Sequence, residues 1–145
     1  MENSSSKKQN ICFIINPFSG ISKKGGLAKK IEKHLDHQQF NYELKYTKYA
    51  GHATTLSKEA VAQNFDLVVA VGGDGSVNEV AAGLIDTNVV LGIIPAGSGN
   101  GFARHLGIST RPHLAIQQLN QGNVDQFRES AHELSLRLVG IPVES

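Results

Sequence analysis

The sequence predicts an α/β fold in which an open, mainly parallel sheet carries helices on both faces. Short, continuous apolar segments of the kind that form buried strands alternate along the chain with segments whose apolar residues recur at helical spacing. Glycine-rich turns follow two of the apolar segments. Strands that alternate with helices in this way are typical of parallel sheets covered on both sides. At 145 residues, the chain has the length of one ordinary domain.

Four strands are predicted after a polar, serine-rich lead-in, residues 1–9, which we expect to be disordered. Three are continuously apolar, as strands buried on both faces are, and the second alternates between apolar and polar residues, as a half-exposed strand does. The predicted strands are residues 11–16, 42–47, 67–71 and 89–94.

Helices are predicted where apolar residues recur every three or four positions. The first contains Leu27, Ile31 and Leu35, and its lysines are most simply a solvated face. The second opens at Gly51 and His52 and runs to residue 63. The last spans residues 112–121, is closed by Gly122, and has an apolar face made of Leu114, Ala115 and Leu119.

One segment, DLVVAVGGDGSVNEVAAGL, concentrates the candidate chemistry. An apolar strand runs into Gly72, Gly73 and Gly75, which surround Asp74, and a helix is predicted to begin at Ser76. Such a turn allows close backbone approach, and the helix start offers unpaired N–H groups with a partial positive charge. A strand, a tight glycine turn and a helix therefore predict a phosphate site.

Two acidic residues belong to this segment. Asp74 stands where the phosphates would lie, which is explained if Mg²⁺ is held between carboxylate and phosphate oxygens. The alternative is a turn aspartate that bonds to its own backbone. Glu79 has two possible roles. It acts at the site, or it forms a capping box with Ser76, in which its side chain bonds to the backbone at the helix start.

A second glycine loop follows the strand at residues 89–94 and leads into a short predicted helix that carries Arg104 and His105. It is not a dinucleotide-binding loop, because that pattern requires glycine where Phe102 stands. The loop after the first strand is not a P-loop, because Gly26 stands where that pattern requires lysine. Both glycine loops are expected at the carboxyl ends of parallel strands, where ligands bind in such folds.

The composition of the chain limits which partners and which cellular location are expected. A net charge of +1 and the lack of paired aromatic residues argue against a nucleic-acid surface. The only cysteine, Cys12, lies within an apolar strand and is interpreted as a small buried side chain. No apolar segment approaches the roughly 18 residues of a membrane span, and no zinc-binding spacing occurs. We therefore expect a cytoplasmic protein without a transition-metal site.

Four loops resemble those of the diacylglycerol kinase catalytic family, which includes the sphingosine kinases, in both order and spacing. They read NPFSG, TKYAGHA, GGDGSVNEV and PAGSGNGFARHLGI. The resemblance covers residues 10–127 and indicates the nucleotide-binding domain of a bacterial lipid kinase, with a Rossmann-like three-layer arrangement. It implies Mg²⁺-assisted transfer of the γ-phosphoryl group of ATP to a lipid hydroxyl, such as that of diacylglycerol. Because GGDG also occurs in NAD kinases and phosphofructokinases, an NAD kinase-like enzyme stays an alternative.

The resemblance also implies which residues act. Asp74 would be the catalytic centre that organises the phosphates and Mg²⁺, and Arg104 would either add positive charge there or lie in a surface ion pair. Residues from all four loops would hold ATP, and these are Asn16, Thr47, Gly72, Gly73, Gly75, Glu79, Gly97, Ser98, Gly99 and Asn100.

The chain departs from the family in two ways. Gly101 stands where many relatives have an aspartate linked to the metal. Family members are also longer, and continue into a β-rich domain that forms much of the lipid cleft and carries the general base in bacterial members. We expect residues 10–127 to form the catalytic domain and residues 128–145 to be a remnant of that second domain or an altered end.

These departures shape the functional expectation. The chain is expected to bind ATP and to be inactive by itself, and the alternative is a separate nucleotide-binding or regulatory module. Peripheral contact with the inner face of the membrane and self-association through an uncovered surface are further expectations.

Overall fold

A parallel four-stranded sheet organises the computed structural model, which describes residues 7–19, 26–96 and 107–121. The strand order is β2-β1-β3-β4, and each neighbouring pair is parallel. The strands are β1 (Gln9–Ile15), β2 (Phe40–Tyr46), β3 (Leu67–Gly72) and β4 (Val90–Pro95). The predicted parallel α/β architecture is confirmed.

Within the described residues, four helices cover the two faces of the sheet. They are α1 (Gly26–His34), α2 (His52–Ala62), α3 (Asp74–Ala82) and α4 (Pro112–Asn120). Helix α1 packs against α4, and α2 packs against α3. Crossovers between parallel strands are right-handed. The path from β1 to β2 runs in the opposite direction along the sheet from the later two crossovers, so α1 lies on the other face from α2 and α3.

The core is built on three strands whose interiors are fully buried. Each residue from Ile11 to Ile15 is at most 2% exposed, and the interiors of β3 and β4 are similarly enclosed. Continuous apolar strands are what a sheet covered on both faces requires. Burial raises the pKa of the Cys12 thiol to about 11, with Glu43 adding to the rise and Lys45 opposing it. The interpretation of Cys12 as a small buried side chain is confirmed.

Several element boundaries differ from the sequence predictions. Strands β1 and β2 each begin two residues early, because Gln9 pairs in register with Phe40 and the ladder continues from there, and β4 is shifted by one residue. Helix α3 begins at Asp74 rather than Ser76, since the N–H of Val77 donates to the carbonyl of Gly73 at 3.1 Å. Glycine disfavours helix interiors but is tolerated in the first turn, where half of the backbone groups have no helical partner in any case.

The apolar face of α4 was predicted correctly for Ala115 and Leu119, which are buried, and wrongly for Leu114, which is 36% exposed. Ile116 is fully buried and takes its place against the sheet. Leu119 lies over β4 at Gly92, where an added Cβ would come within 3.2 Å of its side chain. Gly122 and the predicted short helix with Arg104 and His105 lie outside the described residues.

Candidate nucleotide site

The site lies at the carboxyl ends of β1, β2 and β3. The chain moves from β1 outward to β2 and then returns to the opposite side of β1 to form β3. The connections that follow β1 and β3 therefore diverge onto opposite faces of the sheet. In open α/β sheets, ligands bind in the crevice that forms at such a switch point.

The loop after β1 is held by Asn16. Its side-chain oxygen accepts the N–H of Phe18 at 2.9 Å, and its carbonyl accepts the hydroxyl of Ser19 at 2.8 Å. Its own N–H donates to the carbonyl of Val71 on β3 at 3.4 Å. Asparagine side chains commonly close turns in this way. Asn16 therefore shapes the loop, ties it to β3 and directs Phe18 outward, where its side chain is 82% exposed.

The loop after β2 joins the same edge. The N–H of Thr47 donates to the carbonyl of Ile15 at 2.9 Å, which continues the β1–β2 ladder by one residue. The turn then passes through Gly51, whose φ of +87° is a left-handed conformation that favours glycine. This turn directs the N–H of Gly51 toward α3.

The side chain of Glu79 is the hydrogen-bond acceptor of that N–H. Its Oε1 accepts the hydrogen bond from Gly51 at 3.1 Å, and its carbonyl accepts the hydroxyl of Thr54 at 2.7 Å. The capping box with Ser76 does not form, because α3 begins at Asp74 and Ser76 already lies inside the helix. Glu79 instead couples the loop after β2 to α3, which is a partner that spacing along the sequence does not show.

The turn between β3 and α3 contains glycines in different environments. A Cβ at Gly72 would lie 2.4 Å from the hydroxyl oxygen of Ser76, so the fold itself requires glycine there. Among residues 7–19, 26–96 and 107–121, nothing would lie within 4 Å of a Cβ at Gly73 or at Gly75. Asp74 lies exposed in the first helical turn, where its negative charge is favourable against the positive end of the helix dipole.

A cavity of about 220 Å³ opens between these loops. Three of the residues predicted to hold ATP line it: Asn16 and Thr47, from the loops after β1 and β2, and Glu79, from helix α3. The lining as a whole consists of Asn16, Phe18, Thr47, Lys48, Tyr49, Ala50, Ala53, Ser76 and Glu79. Sequence reasoning missed Phe18 and Tyr49. Both stand inside the loops that carry the family resemblance, which is the signal that could have found them.

The remaining predicted residues are only partly located. Gly72, Gly73, Asp74 and Gly75 form the turn into α3, beside the cavity rather than in its lining. The loop Gly97, Ser98, Gly99 and Asn100 lies outside the described residues.

A magnesium ion is compatible with this arrangement. Among residues 7–19, 26–96 and 107–121, no group of three or more His, Cys, Asp or Glu side chains could hold a metal ion. Mg²⁺ is commonly bound through one or two carboxylates together with substrate phosphates and water. Asp74 is a carboxylate at the turn where the sequence predicts phosphates, so its chemistry fits that mode of binding.

The sequence is similar to those of known diacylglycerol kinases. The model of the diacylglycerol kinase catalytic domain matches residues 10–130. The diacylglycerol kinase of Bacillus subtilis is 48% identical over 101 residues, covering 66% of this chain and 32% of that protein. That of Staphylococcus saprophyticus is 34% identical over 113 residues, covering 77% of this chain and 37% of that protein.

Solved structures give the same result. A diacylglycerol kinase from Bacillus anthracis superimposes with a TM-score of 0.64 at 29% identity, covering 79% of this chain and 39% of that one. The chain thus spans about a third of the length of these curated relatives. Within the part that the structure describes, no helix is long and apolar enough to cross a membrane. The family model covers most of the chain, and the chain therefore belongs to the diacylglycerol kinase catalytic domain family, whose members are kinases that act on lipids.

Proposed function

We propose that this chain is the ATP-binding part of a lipid kinase that transfers the γ-phosphoryl group of ATP to a lipid hydroxyl, such as that of diacylglycerol. Family membership and the names of the relatives support the acceptor. In this reaction the hydroxyl oxygen bonds to the γ-phosphorus, the bond to the β–γ bridging oxygen breaks, ADP leaves, and the hydroxyl proton passes to a base. Because the acceptor is a bilayer lipid, the proposal implies contact between the whole enzyme and a membrane surface.

The observation that carries the proposal is a pair of glycines that no described residue requires. Gly73 and Gly75 lack a positive φ, and a Cβ at either would meet no atom of the described residues within 4 Å. Glycine loses more backbone freedom on folding than alanine does, by roughly 0.4–1 kcal/mol, so Gly75 has this cost even in the first turn, where glycine is otherwise tolerated. A phosphate bound to the N–H groups at the start of α3 would occupy the space that these Cβ atoms would fill.

The other residues either position ATP or hold the Mg²⁺ that would neutralise its charge. The nucleoside part of ATP is assigned to the cavity that Asn16, Thr47 and Glu79 line. When bound beside Asp74, Mg²⁺ would neutralise the charge on the phosphate oxygens. The backbone N–H groups at the start of α3 orient the phosphates, and the family resemblance adds the loop Gly97–Asn100 to this set. No described residue is assigned as the base, so we propose that the chain alone binds ATP without transferring phosphate.

Calorimetric titration of ATP and Mg²⁺ into the chain tests the proposal. Gly75→Ala should weaken ATP binding by roughly tenfold or more, because the added methyl group would prevent the phosphate from accepting a charge-assisted hydrogen bond at the start of α3. Asp74→Asn should weaken binding in the presence of Mg²⁺ and have little effect when EDTA replaces it. Glu59→Gln, which neutralises an exposed carboxylate on α2, is the matched control and should bind as the native chain does.

Two results would contradict the proposal. Unchanged ATP affinity in a folded Gly75→Ala variant would show that the phosphates do not bind at the start of α3. Transfer of radiolabelled phosphate to diacylglycerol in mixed micelles, if it is abolished by Asp74→Asn, would show that the chain is active alone and refute that part.

A further inference from the structure

A second cavity lies between α1 and α4, on the face of the sheet opposite α2 and α3. Its volume of about 330 Å³ is at the lower end of the roughly 300–1,000 Å³ of ligand pockets. Among the described residues, its lining has no acidic and no apolar side chain, and every side chain in it is a lysine or a histidine. The lining consists of Gly26, Lys29, Lys30, Lys33, His34 and His113. Because the net charge of the whole chain is only +1, this concentration of basic groups is local.

The lysines of this cavity lack compensation for their charge. Lysines on an exposed helix face are often simply solvated, and the negative end of the helix dipole accounts for Lys33 and His34 in the last turn. It does not account for Lys29 and Lys30, and Lys29 is four residues from Lys33, a spacing at which like charges repel. Within the part of the chain that the structure describes, none of these lysines forms an ion pair. Glu32, the acidic residue of α1, does not line the cavity.

The walls of the cavity are held together by contacts of His34. Its ring lies 5.7 Å from that of His113 between centroids, and its Nδ1 atom lies 3.3 Å from Nε2 of Gln117. An amide nitrogen only donates, so Nδ1 is the acceptor and the neutral ring carries its proton on Nε2. The side chain of Asn120 donates to the carbonyl of His34 at 2.7 Å, which fixes α1 against α4. A site whose walls are already in place binds a ligand at a lower entropic cost.

The electrostatic surroundings of His34 favour an anion. Desolvation lowers the pKa of His34, and the positive charges of Lys33, His113 and Lys30 lower it further. A negative charge in the cavity would oppose these contributions, because it stabilises the protonated ring. It would also reduce the repulsion between the lysines of α1.

The lining indicates which class of anion fits. A lysine ammonium is a compact charge that contacts a phosphate oxygen from many directions, whereas the planar arginine fork that matches a carboxylate does not occur in the described lining. A membrane surface fits less well. Helices that lie on membranes insert an apolar face, but Leu27 and Ile31 of α1 are buried in the core, and the exposed Leu114 of α4 does not line the cavity.

We propose that the cavity between α1 and α4 is a second anion site of this chain, which binds a soluble, multiply charged phosphate compound. Lys29, Lys30 and Lys33 supply the charge, and His34 and His113 supply further hydrogen-bond donors. The site shares no residue with the lining of the nucleotide cavity, and the inference does not depend on the proposed function.

Titration of inorganic pyrophosphate into the ¹⁵N-labelled chain without Mg²⁺ tests the proposal, with amide chemical shifts as the readout. Amides of α1 and α4 report this site and should shift saturably, whereas amides at the start of α3 report the proposed nucleotide site. Lys30→Gln should weaken the titration of α1 and α4 by roughly three- to fivefold, because one exposed charge contributes modestly. Combining it with Lys29→Gln should abolish saturation. Both variants should leave the titration of α3 unchanged.

Lys58→Gln is the matched control, because Lys58 is an exposed lysine on α2 that does not line the cavity. If it weakens the titration of α1 and α4 as much as Lys30→Gln does, or if sodium chloride at equal ionic strength causes the same shifts, the chain attracts anions only in general and the proposal is wrong. Phosphatidylglycerol vesicles whose binding requires Lys30, with no saturation by pyrophosphate, would overturn it in favour of a membrane surface. A failure of the nucleotide site would leave the amides of α3 unmoved while those of α1 and α4 still respond.

Discussion

Replacing Gly75, in the first turn of α3, and Gly83, at its carboxyl end, by alanine should change stability in opposite directions. Gly83 caps the carboxyl end of the helix with φ −79° and ψ −11°, a conformation that alanine adopts without strain. A Cβ there would nevertheless lie 2.6 Å from the hydroxyl oxygen of Ser57 and 2.8 Å from the carbonyl oxygen of Thr54 on α2. Gly83→Ala therefore tests only the close approach of the two helices.

The magnitude follows from what must move. Overpacking by one methyl group costs about 1–3 kcal/mol. The carbonyl contact belongs to the backbone and cannot be relieved by a rotamer change. The hydroxyl of Ser57 is fully buried and donates to the carbonyl of Val80 at 2.7 Å, and losing that bond adds about 1–3 kcal/mol if the hydroxyl stays buried. We expect Gly83→Ala to lower the free energy of unfolding by about 2–6 kcal/mol, the sum of these two costs.

Gly75→Ala should do the reverse. Because its Cβ would meet no described residue within 4 Å, the substitution lowers the backbone entropy of the unfolded chain without a steric clash with those residues, and it should raise the free energy of unfolding by up to about 1 kcal/mol. Urea unfolding followed by circular dichroism measures both variants on one scale. Ser57→Gly in the Gly83→Ala background removes the nearest clash and should recover part of the loss, so the pair should be non-additive.

Either glycine can refute the reasoning. A Gly83→Ala variant with native stability would mean that α2 and α3 do not approach as closely as the structure shows. A Gly75→Ala variant that is clearly destabilised would mean that the fold needs this glycine, and the argument that a ligand explains it would fail.

Three further predictions concern single side chains. The raised pKa of Cys12 should keep its thiol unreactive toward a thiol reagent at pH 8 until urea unfolds the chain, and rapid reaction of the folded chain would contradict the burial. Desolvation and then Lys33 lower the pKa of His34 below 6.5. Protonation of His34 therefore favours the unfolded chain, and stability should fall as the pH falls through that value. Lys33→Gln should raise the pKa of His34 measured by NMR, and an unchanged pKa would exclude Lys33 as a cause. Thr54→Val removes the bond to the carbonyl of Glu79 and should cost about 1 kcal/mol in urea unfolding, whereas an unchanged midpoint would show that the bond contributes nothing.

Much of the fold could be predicted because its signals are local. The unbroken apolar segments at Ile11–Ile15 and Leu67–Val71 suit only strands enclosed on both faces, and the structure buries both. The glycine turn after β3 could be identified from residue type alone. Once parallel strands were predicted, the loops at their carboxyl ends had to share one edge, so the position of the candidate site followed as well.

The sequence could not show which residues meet across the site. Glu79 suited a capping box by its spacing, but its carboxylate bonds to Gly51, which lies 28 positions away. The exposed rings of Phe18 and Tyr49 carry no periodic signal, and only the convergence of two loops places them beside one cavity.

By itself, the sequence determined the order of strands and helices, the parallel sheet, and the residue types at its carboxyl edge. The tertiary structure decided which face of α4 is buried and which glycines the fold requires. Gly72 and Gly83 are required because another side chain or helix lies against them, whereas no described residue lies within 4 Å of a Cβ at Gly73 or Gly75. Periodicity and propensity act within one element, but steric contact and hydrogen bonding between elements depend on distances that exist only after the helices have packed onto the sheet.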